Sequence, residues 1–139
     1  MEKVHIQIKG IQTDPEGQKT AVDQMLQGEY GVRNGSRYLF YEEFAEGTDI
    51  PVKCRMKYRE SELELVKQGP VTTQMRFETG KQTDMVYRTP YGGLALSVAT
   101  DSIIFEEEEK KIRIQIKYRL IAEDEPVSDC SLELLILRA

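Results

Sequence analysis

Val52-Lys53-Cys54-Arg55-Met56-Lys57-Tyr58-Arg59 carries an apolar side chain at every even position and a cation at every odd one. In an extended chain successive side chains point to opposite faces, so this octet is a strand with one face in a core and one in water. A helical period of 3.6 would instead scatter the four cations around a cylinder.

The same alternation continues in both directions. Towards the N-terminus, Val4, Ile6 and Ile8 alternate with Lys3, His5, Gln7 and Lys9, and Asp14-Pro15-Glu16-Gly17 supplies a turn. Thr20 to Arg33 reads as a long second strand, although Ala21, Val22, Met25 and Leu26 also fit a short amphipathic helix. Asn34-Gly35 has the composition of a type I′ hairpin turn, because both central positions need positive φ, and Arg37 to Phe44 is the returning strand. Glu46-Gly47-Thr48-Asp49, followed by Pro51, ends it.

Towards the C-terminus, Leu63 to Val66 gives a short strand before Gln68-Gly69-Pro70. Val71, Thr73, Met75 and Phe77 then alternate with Thr72, Gln74, Arg76 and Glu78, and Thr79-Gly80-Lys81 turns the chain. Met85 to Thr89 runs into Pro90-Tyr91-Gly92-Gly93, and Leu94, Leu96 and Val98 lead through Thr100 to Phe105. Glu106 to Glu109 with Lys110-Lys111 reads as a solvated hairpin tip. Ile112, Ile114, Ile116, Tyr118 and Leu120 form the next apolar row, and Ser128 to Leu137 the last strand after Glu123-Asp124-Glu125-Pro126.

This gives eight to ten strands, with connections too short for crossover helices, so the topology is an antiparallel meander. Such a series leaves two open edges unless it closes, and the expected fold is an all-β, antiparallel up-and-down barrel spanning residues 1–139 as one domain. A β-sandwich is the alternative, but the longer Greek-key connections it needs are missing from the pattern.

Composition narrows function by exclusion. The net charge of -5 over 139 residues argues against a general phosphate-backbone binder, so no nucleic-acid partner is expected. No stretch approaches the ~20 apolar residues of a membrane helix, and the opening residues lack the apolar core of a signal peptide. The expected setting is cytoplasmic, with no membrane partner. Cys54 and Cys130 both sit in alternating apolar runs and read as small core hydrophobes. With a single histidine, His5, and no CxxC spacing, neither a metal site nor a cofactor is expected. A serine or cysteine triad lacks its base, and no GxSxG elbow or phosphate-binding glycine loop occurs. No catalytic residue is assigned, and an enzyme using separated carboxylates ranks last.

The stretch Gly69-Pro70-Val71-Thr72-Thr73-Gln74-Met75-Arg76-Phe77-Glu78-Thr79-Gly80, with Tyr87-Arg88-Thr89-Pro90-Tyr91-Gly92 and Leu94-x-Leu96-x-Val98-x-Thr100, resembles the YwiB-like family. Gly28-x-Tyr30 and Tyr41-Glu42-Glu43 extend the resemblance over nearly the whole chain. These are small bacterial proteins of unknown function with a calycin-like (lipocalin-like) β-barrel. The resemblance implies that fold and a bacterial cytoplasmic setting, and it carries over no activity, ligand or catalytic residue.

Barrels of about eight strands either fill their interior with side chains or hold one small ligand. The apolar rows carry Met25, Met56, Met75, Met85, Tyr58, Phe77, Tyr87 and Tyr118. Of these, Met56, Tyr58, Met75, Phe77, Tyr87 and Tyr118 are the expected lining of a mouth that takes a small apolar or amphipathic molecule, with Arg76 as its anchor. The plainer expectation is that the same residues pack a core. The cations of residues 53–59 face Glu42, Glu43, Glu62, Glu64 and Glu78 on adjacent strands, as on an ordinary solvated face. Tyr38, Phe40 and Phe44 on one side, with Leu39 and Tyr41 on the other, make the 38–44 strand apolar on both faces. That pattern suits a protein-interaction or homodimer module built on a packed barrel.

Overall fold

The computed structural model describes residues 1–44 and 49–139. Eleven strands follow in chain order: β1 (Glu2–Thr13), β2 (Lys19–Arg33), β3 (Ser36–Phe44), β4 (Pro51–Arg59), β5 (Glu62–Gln68), β6 (Thr72–Glu78), β7 (Gln82–Thr89), β8 (Gly92–Gly93), β9 (Leu96–Glu107), β10 (Lys111–Ala122) and β11 (Glu125–Leu137). Ala21 to Leu26 lies in β2 as strand, not helix. The expected break at Glu46-Gly47-Thr48-Asp49 falls, apart from Asp49, outside the described residues.

All pairings are antiparallel, and nearly every strand lies beside its neighbour in sequence, in the order β6-β5-β4-β3-β2-β1-β11-β10-β9-β7-β8. The first and last long strands pair in the middle of that order, with Ile6 opposite Ile136. Closure is shared by the two halves of β7. Gln82 to Met85 pairs with β9, and Val86 to Arg88 pairs with β6. Where β6 and β7 splay apart, the Thr83 hydroxyl donates to the Arg76 carbonyl at 2.6 Å, satisfying a ladder acceptor that has lost its partner strand. The two-residue β8 is an appendage, and the other ten strands make a closed antiparallel barrel.

The turns follow from residue type. Asn34 and Gly35 have φ of 53° and 79°, as a type I′ turn requires. Glu123 and Asp124 also take positive φ, so the second long hairpin turns on two residues and Glu125 already belongs to β11. Glu106 and Glu107 extend β9, leaving a tip shorter than the acidic run.

Period two sets the core. Ile6, Leu39, Met56, Leu63, Phe77, Ile114, Leu134 and Ile136 come from seven strands and are sealed from solvent. The apolar row of β10 keeps step from Ile112, Ile114 and Ile116 to Tyr118 and Leu120, which pack against the core, while the register shifts at Lys117/Tyr118 and Leu120/Ile121 leave the extra residues on the partner strands, Asp101 on β9 and Val127 on β11. A bulge adds one residue to one strand, so beyond Asp101 the inward positions of β9 pass from Val98 and Thr100 to Ile103 and Phe105. Met25 falls on the outward parity of β2 and is 63% exposed, while its neighbour Leu26 packs against the core. Leu94 precedes β9 and is also exposed. The outer rows carry the charge, with Lys57 opposite Glu64 and Arg59 opposite Glu62, and Arg55 reaching Glu64 at 2.9 Å. An apolar interior inside a charged exterior is the reverse of a transmembrane barrel, and among the described residues no helix is long and apolar enough to cross a membrane.

Candidate functional site

The residues expected to line a mouth separate into three groups. Met56 and Phe77 are sealed within the core. Met75, Tyr87 and Tyr118 are half-buried, with the Tyr118 ring meeting Phe77 edge-on at 4.9 Å. Tyr58 and Arg76 come together at one end of the barrel, lining a notch of about 160 Å³ with Ser36, Arg59, Glu62 and Leu63. Arg76 points outward, its side chain 61% exposed and its guanidinium 3.9 Å from Glu62. It reaches the notch from the rim, while its neighbours Met75 and Phe77 face inward.

The mouth beside this notch adds to Tyr58 residues that the sequence reading did not single out as lining. Arg37 shares the inward parity of Leu39 and Tyr41 and lies opposite Tyr58 in the β3–β4 ladder. Its Nη2 donates to Glu107 on β9 at 2.9 Å, and the Tyr30 hydroxyl donates to the other oxygen of that carboxylate at 3.4 Å. Beneath them the Tyr58 ring stacks on Phe105, with centroids 4.9 Å apart. Glu2 and Arg138 form a second pair at 2.8 Å, with the Arg138 guanidinium 5.4 Å from the Tyr30 ring centroid. Charges at Glu2, Arg37 and Glu107 occupy the terminal positions of apolar rows, where a barrel ends and water begins. A charge in step with a buried row was the available signal, and Glu107 was instead read with the acidic tip.

Two hydrogen-bond donors in this cluster are left over. Among the described residues, Arg37 Nε and the Tyr58 hydroxyl are buried with no partner in hydrogen-bond geometry, the Tyr30 phenol being the polar neighbour of Tyr58. Buried donors normally find an acceptor, because an unmet one costs about 1–3 kcal/mol. Burial pushes Tyr58 well above the ordinary phenol range, and burial followed by the Glu107 charge raises Tyr30, so both are neutral donors at physiological pH.

Neither thiol suits nucleophilic chemistry. Cys54 and Cys130 are both free and buried. Burial, then the Glu43 carboxylate, pushes the Cys54 thiol up to about 12, and burial likewise raises Cys130. A thiol held protonated is a poor attacking group and a poor metal ligand. Among the described residues no three His, Cys, Asp or Glu side chains converge to hold a metal ion.

Residues 6–134 match a family described as a domain of unknown function, DUF1934. The chain is 32% identical over 123 residues to the uncharacterized beta-barrel protein YwiB of Bacillus subtilis (strain 168), covering 88% of this chain and 84% of that protein. The crystal structure of the ywiB protein from Bacillus subtilis superposes with a TM-score of 0.87 at 25% identity, over 99% of this chain and 92% of that one. Fold, length and sequence therefore agree, and the chain belongs to the DUF1934 family of YwiB-like β-barrels.

Proposed function

We propose that this barrel is a non-enzymatic binder of a small, partly apolar molecule with an oxygen acceptor, held in the notch at the mouth. The supporting observation is the pair of unmet donors, Arg37 Nε and the Tyr58 hydroxyl, facing each other across β3 and β4 beside that notch. Two buried donors require an oxygen, and the Phe105 and Leu63 side chains nearby suit a short apolar body. A sealed core leaves the guest at the end of the barrel rather than inside it. The notch walls carry Lys57, Arg59 and Arg76 against Glu62 and Glu64, a locally cationic balance in an acidic chain, so a carboxylate or phosphate is favoured. Catalysis has little to work with, since Glu107 is engaged by Arg37 and Tyr30 and both thiols are held protonated. A cytoplasmic setting belongs to the same proposal, and two unpaired buried thiols fit a reducing compartment.

The test is an NMR titration of the whole chain with butyrate and with inorganic phosphate. The readout is the Arg37 Nε–H resonance, assigned by its loss in Arg37→Lys. A saturable shift, weakened about two- to tenfold in Tyr58→Phe, is the expected result. A resonance unmoved by either anion would sink the proposal. Native mass spectrometry of freshly purified protein would add the mass of any guest retained from the cell.

A further inference from the structure

The outer surface of β3 is as unusual as the mouth. Tyr38 and Phe40 point away from the core with their rings parallel to within 5° and centroids 6.3 Å apart. Phe40 is exposed, as are Met1 and Val32, and these residues border a groove of about 530 Å³. Met1 lies flat on the backbone of β2, its methyl group 3.0 Å from where a Cβ on Gly31 would stand. The ridge is therefore a contiguous apolar strip rather than one stray ring, the kind of surface that marks an interaction site.

Charges on its two flanks are of opposite sign. By ladder register Phe40 sits between Glu29 on β2 and Arg55 on β4. Glu29 forms no ion pair among the described residues. Arg55 uses Nη2 on Glu64, which leaves the rest of its fork unengaged. A two-fold axis parallel to β3 exchanges the flanks, bringing a carboxylate over a guanidinium twice. An axis perpendicular to the strand would instead keep the flanks in place and set cations of β4 against each other. Isologous contacts need such self-complementarity, and one orientation supplies it.

We propose that this face pairs with the same face of a second copy of the chain, with the two-fold axis along β3. Phe40 then meets Phe40, and each Glu29 meets Arg55 of the second copy. A single-stranded nucleic acid would also stack on exposed rings beside cations. Here the cation row of β4 runs between carboxylates, Glu29 and Glu42 on one side and Glu62 and Glu64 on the other, which a phosphate backbone would have to pass.

Sedimentation velocity of the full chain across micromolar concentrations is the direct test. The expected result is a concentration-dependent dimer that Phe40→Glu abolishes, Phe40 being exposed enough for the variant to fold. Glu29→Arg and Arg55→Glu should each weaken the dimer about tenfold, and the two together should bring it back to within about threefold of the parent. Thermal melts of each variant confirm that the barrel is intact. A monomer at every concentration, a dimer indifferent to Phe40→Glu, or a double exchange that fails to restore would each overturn the proposal. Saturable binding of a fluorescent oligothymidine that Phe40→Glu removes would overturn it too, assigning the face to nucleic acid.

Discussion

Arg37 and Glu107, seventy positions apart in sequence, form an ion pair of 2.9 Å that ties β3 to β9 across the barrel mouth. β9 has no ladder partner on its second side there, since its pairing with β7 ends at Ala99. The pair thus joins two strands that the hydrogen-bond ladder leaves apart. Its side chains are 35% and 39% exposed, so water and salt screen it. A double-mutant cycle of Arg37→Ala and Glu107→Gln should give a coupling of about 0.5–1 kcal/mol in urea melts, falling in high salt. A coupling unchanged by salt would mean the contact is not ionic.

Gly28 admits no side chain. A Cβ there would stand 2.6 Å from Ile6 Cδ1 and 2.6 Å from the Phe40 carbonyl oxygen. The isoleucine tip can move, but the carbonyl belongs to the β2–β3 ladder and cannot. Gly28→Ala should destabilise the barrel by about 1–3 kcal/mol. At Gly10 the nearest atoms are 3.9 Å away, so Gly10→Ala should be neutral or stabilising by up to about 1 kcal/mol. Chemical denaturation of both variants checks the contrast, and equal effects would refute it.

Alkali should unfold the protein earlier than exposed groups alone would. Cys54 titrates near 12 when folded, and burial also raises Tyr41, Tyr58 and Tyr118. Each raised group keeps its proton when folded and loses it when unfolded. Its contribution is full below the unfolded pKa, near about 8.5–10, and falls by about 1.4 kcal/mol per pH unit above it. For Cys54 the loss runs from about 8.5 up to the folded value of about 12. Urea midpoints should hold steady from pH 7 to 8 and drop from pH 9 to 11, less steeply in Cys54→Val.

Met56 and Met25 should respond in opposite ways. Met56 is sealed in the core, and Met56→Ala should cost about 2–5 kcal/mol. Met25 projects into solvent, and Met25→Lys should change stability by no more than about 0.5 kcal/mol. Thermal melts decide, and a large loss in Met25→Lys would mean that the outer face of β2 is covered.

The strand pattern was legible because period two states which side chains share a face. It gave the barrel, the type I′ turn at Asn34-Gly35 and the inward row of residues 52–58. It was less reliable where rows begin or end. In the first half of β2 neither parity is clearly apolar, so Met25 and Leu26 could not be ranked. At the bulge beside Asp101 the inward face of β9 changes from even to odd positions without any marker in the sequence. The mouth stayed hidden for a further reason. Tyr30, Arg37, Tyr58 and Glu107 come from four strands, and only closure of the sheet brings them together.

The pairing of β1 with β11 also has a kinetic meaning. His5 waits for Leu137, and β1 and β10 share a neighbour, β11, that is synthesised after both. A nascent chain that has not yet reached β11 holds Ile6, Ile8, Ile112 and Ile114 beside an unfilled slot with two raw edges. Contacts of such long sequence separation form slowly, and open apolar edges recruit other chains while they wait. Ribosome-bound or truncated forms ending before β11 are therefore the ones most exposed to aggregation and to chaperone capture.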